Sequence, residues 1–232
     1  MTQDLAESRP TSAAPTAPSP RALLTTAFVV LIVALVARQV FAFWEHYDGS
    51  ATYEELAAFG EAYWPMNVLV FGPSFAIGFA AQALLVWQLG RGRGRIVTFV
   101  GAALLLVGGT VFALVATAHA LPFDWAANHG ILDESAGREV VGAFTDRGTP
   151  VLVPYIIGSQ AVIALGALVS IVGARVSRTV PTWMLVTTVA LVLVFAVVPI
   201  DPGSPLEVGF SFAQVAVWGA LGWFGWRAGT AR

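Results

Sequence analysis

The sequence predicts an all-α, polytopic transmembrane helical bundle with six spans, and three observations support this prediction. Of the 232 residues, 57% are hydrophobic and 11% are charged, whereas soluble domains carry about 25% charged residues. With a mean hydropathy of +0.75, lipid must cover part of the apolar surface. The apolar residues also fall into six segments long enough to cross a hydrocarbon core of about 30 Å. Finally, acidic and basic residues gather at opposite ends of these segments.

The chain divides into a tail and a transmembrane domain. Residues 1–21 are rich in Pro, Ser, Thr and Ala, which predicts a disordered cytoplasmic tail. The length of this polar leader argues against a cleaved signal peptide. Residues 22–228 form the predicted six-helix domain. Its spans are expected at 22–43, 65–89, 96–121, 151–174, 180–198 and 206–226.

The separation of charge predicts the orientation. Nine of the twelve arginines lie on one side of the segments, including those of the tail, the turn 91–95 and the loop 175–179. Twelve of the fourteen acidic residues lie at the opposite ends. Because basic loops stay in the cytoplasm, both termini are expected there, in a plasma membrane. All basic residues are arginine, a bias typical of a GC-rich bacterial genome, so we expect a bacterial inner membrane.

The two long outer loops, 44–64 and 122–150, are expected to hold short helices. Thr52 and Glu55 form a Thr-x-x-Glu pattern, which predicts a capping box and a helix on the outer face. In the second loop, Asp133 or Ser135 can cap a helix that runs through Phe144.

Small and polar residues recur at helical spacing in four of the spans. Such stripes indicate faces that pack against other helices. We therefore expect spans two, three, four and six to form the inner bundle, with spans one and five more exposed to lipid. Packing seams are the simplest interpretation of the stripes. In chain order they are Asn67, Ser74, Gly78 and Gln82; Gly101, Gly108 and His119; Tyr155, Ser159, Gly166, Ser170 and Gly173; and Ser211, Gln214, Trp218, Gly222, Gly225 and Gly229.

Two ionisable residues lie inside predicted spans, where charge is costly and indicates function. Arg38 can extend its long side chain to the interface, pair with Glu45 or Asp201, or bind an anionic ligand. His119 is expected either as a hydrogen-bonded interfacial histidine or as a proton-linked or ligand-contacting group.

The sharpest site hypothesis is a polar vestibule open to the outside. Its candidate ligand-binding residues all lie in the outer half of the spans, with Asp124 and Asp201 nearby. They are Arg38, Asn67, His119, Ser159, Gln160, Ser211 and Gln214. This vestibule predicts a small-molecule-binding or permease-like protein.

No catalytic constellation is visible in the sequence. Ser74 and His119 differ by about 10 Å in depth, too far for a nucleophile and its base. The histidines lack the placement that haem or metal hydrolysis requires, there is no cysteine, and no cofactor or nucleic acid is expected. Lipid is the expected environment. The alternative function is a structural or accessory subunit that docks a partner through its small-residue faces, and a membrane-embedded enzyme ranks third.

Overall fold

The computed structural model describes residues 19–45, 52–128, 130–198 and 204–231, and this part of the chain is helical without strands. The all-α bundle is therefore confirmed. Five helices are long and apolar enough to cross a membrane, and α5, with 16 residues, spans about 24 Å. The helices are α1 Pro20–Trp44, α2 Tyr53–Trp87, α3 Gly94–Ala127, α4 Glu134–Val176, α5 Thr182–Val197 and α6 Pro205–Thr230.

Side-chain caps define where several helices begin. Thr52 and Glu55 form the predicted capping box at the start of α2, and Asp133 accepts a hydrogen bond from the first turn of α4. Ser19 and Ser204 cap α1 and α6 in the same way. Because each cap satisfies an N–H that the helix leaves open, these helix starts follow directly from the sequence.

Two helices widen into π turns, Met66–Phe71 in α2 and Phe144–Gly148 in α4. Each π turn is followed two residues later by a proline, Pro73 and Pro150 respectively. A proline ring clashes with the carbonyl four residues earlier in an α-helix. The wider turn gives that carbonyl room, so the outer segments Tyr53–Phe59 and Glu134–Ala143 stay joined to the spans that follow them.

The helices contact one another in chain order, and α6 closes the ring against α1. The expectation that span one is more exposed than the inner bundle is confirmed against α2, α3 and α4: 28% of the apolar stretch of α1 is buried, compared with 44%, 39% and 39% in those helices. It is wrong against span six, because only 22% of the apolar stretch of α6 is buried. For α5 the expectation is confirmed, since among its described residues only Met184 and Thr188 are buried.

The small residues of α3 and α4 form a close helix–helix seam. A Cβ atom built on Gly101 would lie 2.5 Å from the backbone nitrogen of Ser170, and one on Gly166 would lie 2.9 Å from that of Leu105. Glycine therefore lets the two backbones touch. Tyr155 was also expected on this inward stripe, and that is wrong: it is 60% exposed.

The arginine-bearing turns lie together at one end of the bundle, here called the arginine end. Ser177 accepts a hydrogen bond of 2.9 Å from the backbone N–H of Arg91. Thr179 donates one of 2.8 Å to the carbonyl of Leu89, and Arg91 also reaches the carbonyl of Ala228 near the end of α6. These bonds join the turn after α2 to the turn after α4.

At the opposite end, here called the acidic end, the outer segments of α2 and α4 pack into a small cap. Its core contains Tyr53, Leu56 and Phe123. Arg138 pairs with Glu54 and Glu134, and its guanidinium lies over the ring of Tyr53. The pKa of Glu54 is lowered by the hydrogen bond from Arg138. The cap thus has its own apolar core and its own ion pairs.

Candidate functional site

A partly open cavity of about 130 Å³ lies between the helices, and all six contribute to its wall. Most of the wall is aliphatic or aromatic. The polar side chains in the lining are Arg38, Gln160, Thr188 and Gln214. The hydroxyl of Thr188 donates within α5 to the carbonyl of Met184, so the groups that remain for a ligand are those of Arg38, Gln160 and Gln214.

Arg38 brings the positive charge of α1 to this cavity. Its Nη2 donates to Oε1 of Gln214 on α6, and its Cζ lies 4.9 Å from the centre of the Phe75 ring. The expected ion pair with Glu45 is not found among the described residues, where the guanidinium of Arg38 donates to Gln214 instead. Asp201, the other expected partner, lies outside the described residues.

A second, smaller cavity of about 20 Å³ adjoins the first through Arg38, Phe75, Phe79 and Trp218. Gln82 lines it and is 1% exposed. Neither polar atom of the Gln82 amide has a hydrogen-bond partner among the described residues. The cavity is large enough for one water molecule, and buried amides are rarely left unsatisfied.

Two of the predicted vestibule residues bond within their own helices instead of facing the cavity. Asn67 is buried and donates a hydrogen bond of 3.0 Å to the carbonyl of Tyr63. Ser159 donates one of 2.9 Å to the carbonyl of Ile156 and is buried in the seam between α3 and α4, opposite Gly108. Their polar atoms are therefore used for local structure.

Two further predicted residues connect neighbouring helices away from the cavity. Ser211 donates a hydrogen bond of 2.8 Å to the side chain of Gln39, which joins α6 to α1. His119 packs against the rings of Phe123 and Phe144, with centroid distances of 5.0 and 5.5 Å. Its Nε2 lies 3.5 Å from the hydroxyl of Thr149. The structure thus brings Arg38, Gln160 and Gln214 to the cavity and leaves the other four outside its lining.

The sequence did not indicate the apolar part of the site. The helix α5, expected to be more exposed to lipid than the inner bundle, contributes Leu191, Val192 and Phe195 to the wall. One available signal was Trp218, the tryptophan that the sequence places away from the segment ends. The aromatic part of the lining consists of Phe75, Phe79, Phe112, Phe195, Phe210 and Trp218.

Within the described part of the chain, no three histidine, aspartate or glutamate side chains come close enough to hold a metal ion. Comparison with known proteins gives no relative: no family model, curated protein or solved structure matches the chain. The interpretation of the site therefore rests on its own geometry.

Proposed function

We propose that this protein binds a small, mostly apolar molecule in the cavity inside its helix bundle. The observation that carries the proposal is the lining: an apolar and aromatic wall with a few polar groups, Arg38, Gln160 and Gln214, along it. This composition is typical of small-molecule sites, where apolar contact supplies affinity and a few polar groups fix the orientation.

The proposed setting is a bacterial plasma membrane, with both termini in the cytoplasm. It is supported by the helices' apolar composition and by the gathering of the arginine turns at one end of the bundle. In this orientation the acidic end faces outward, and a permease-like role would take the ligand up from that side. Uptake of a labelled ligand into proteoliposomes measures this role separately from binding.

Docking of a partner through small-residue faces is less well supported, because those faces are used within the chain. Gly101 and Gly173 contact α4 and α3 respectively, and Gly222 and Gly225 contact Leu31 and Leu85. A partner helix that used the same faces would have to displace a helix of the bundle.

The test is a screen of small apolar and aromatic compounds for stabilisation of the purified protein against thermal unfolding. A ligand present at a hundred times its Kd adds about 2.7 kcal/mol to the free energy of unfolding. In Ala164→Phe a ring fills the cavity, because Ala164 is in its lining. The matched control is Ala161→Phe, on the exposed side of the same helix.

We expect at least one compound to raise the melting temperature of the wild type and of Ala161→Phe, and to have no effect on Ala164→Phe. The proposal is wrong if no compound in the screen stabilises the wild type. It is also wrong if stabilisation persists in Ala164→Phe, because the ligand would then lie elsewhere.

A further inference from the structure

The cavity contains a positive charge that the described part of the chain does not neutralise. Arg38 lines both the large and the small cavity, and its side-chain acceptor among the described residues is the neutral amide oxygen of Gln214. A guanidinium carries several N–H donors, so donors remain for another group. Arg38 is partly buried, and an ionised side chain that is withdrawn from water is normally paired, since an unpaired charge there is unfavourable.

The chemistry of the surrounding groups favours an anion as the missing partner. A guanidinium binds a carboxylate through two parallel hydrogen bonds, and such charge-assisted bonds are stronger than bonds between neutral groups. Gln214 holds Arg38 beside the cavity, and the amide of Gln160 lines the same space as a further donor. A cationic ligand would be repelled by Arg38, and a wholly apolar one would leave its donors unused.

The size of the cavity limits the rest of the ligand. Pockets for drug-sized ligands measure about 300–1,000 Å³, well above the volume of about 130 Å³ found here. An apolar cavity of about 150 Å³ holds a benzene molecule. Aromatic rings of α2, α5 and α6, such as Phe79, Phe195 and Phe210, lie in the wall. Ring–ring contacts at centroid distances of about 4.5–7 Å are favourable, so a single aromatic ring suits the wall and is about the largest group that the volume admits.

On these grounds we infer that the cavity selects a small aromatic carboxylate, with its ring among the aromatic side chains and its carboxylate on Arg38. This inference rests on the proposed function, because it names the ligand class for the same cavity. On the other side of Arg38, the amide of Gln82 lines the small cavity and has no hydrogen-bond partner among the described residues, so it can serve the guanidinium as a polar neighbour.

The experiment compares benzoate with benzamide, which has nearly the same shape and no charge. Binding to the full chain in detergent micelles is measured by titration calorimetry, with the fluorescence of Trp218 and the other tryptophans as a second readout. We expect benzoate to bind the wild type at least about tenfold more tightly than benzamide. In Arg38→Gln the benzoate affinity should fall by at least about tenfold, while the benzamide affinity stays within about twofold.

The possible outcomes separate this inference from the proposed function. If benzamide and benzoate bind equally, or if Arg38→Gln leaves the benzoate affinity unchanged, the carboxylate assignment is wrong, and Ala164→Phe still decides whether the compounds bind in the cavity. If neither compound binds, the aromatic carboxylate assignment is wrong, and the wider screen with Ala164→Phe decides the proposed function separately. If Arg38→Gln does not fold, as judged by its circular dichroism, the comparison of the two compounds on the wild type decides alone.

Discussion

Replacing Gly101 by alanine tests whether the seam between α3 and α4 depends on backbone contact. The added methyl group would lie 2.3 Å from Oγ, 2.5 Å from N and 2.8 Å from Cα of Ser170. A hydroxyl can rotate away, whereas backbone atoms cannot. Since ordinary contact begins at 3.4 Å, the two helices must separate locally by roughly 1 Å, the kind of backbone shift that overpacking produces.

The size of the effect follows from two opposing terms. Overpacking of this kind destabilises a protein by about 1–3 kcal/mol. Alanine also raises helix propensity relative to glycine, which stabilises by up to about 1 kcal/mol. Gly158→Ala is the matched control, because a methyl group on Gly158, also in α4, meets nothing within 4 Å. The propensity term is common to both variants, so their difference isolates the steric cost, expected at about 1–3 kcal/mol.

The assay is reversible unfolding of the purified protein in mixed micelles with a rising fraction of SDS, followed by far-ultraviolet circular dichroism. We expect Gly158→Ala to match or exceed the wild type in stability, and Gly101→Ala to be the less stable of the two variants. Equal stability of the two would refute the reasoning, because it would mean that the helices separate at no cost.

Two further predictions concern the two ends of the bundle. Thr179→Val removes the hydroxyl that donates to the carbonyl of Leu89, and it should lower the free energy of unfolding by about 1 kcal/mol. The control is Thr187→Val, whose hydroxyl donates within α5. In the same SDS titration this control should leave the free energy of unfolding nearly unchanged. At the acidic end, hydrogen bonds from the first turn of α4 lower the pKa of Asp133 in the folded protein. The stabilisation of α4 by the Asp133 cap is therefore present above the unfolded pKa of about 3.9, and it is lost as the pH falls through the lower folded pKa. The measurement is hydrogen exchange of Glu134–Ala143, corrected for intrinsic rates. Below about pH 4 this segment should lose more protection in the wild type than in Asp133→Asn. Equal loss of protection in both proteins would contradict the capping role.

The sequence predicts the helical bundle and its caps because these depend on local patterns. Runs of apolar residues set the spans, and the capping box of Thr52 and Glu55 sets the start of α2. That α1 is more buried than α6 was not predictable in this way. Its contacts use Leu31, Leu35 and similar side chains, and an apolar residue looks the same whether it faces lipid or another helix.

The candidate site was predictable in part, and the length of the side chains explains the division. Asn67 and Ser159 are short, so their polar atoms reach a carbonyl of the preceding turn and bond there. Arg38, Gln160 and Gln214 have longer side chains, which place their polar ends in the cavity lining. Spacing along a helix identifies a face, but it does not show which polar groups on that face are already satisfied.

The position of the cavity follows from unequal packing around the ring of helices. On one side, the glycines of α3 and α4 bring two backbones into contact and leave no space. On the other side, α5 buries few residues and offers large side chains such as Leu191 and Phe195 to the gap. Stability alone would favour an apolar side chain beside that gap, since replacing an interior charge by well-packed apolar groups is often neutral or stabilising. The presence of Arg38 there departs from that packing preference, and such local departures concentrate at functional sites.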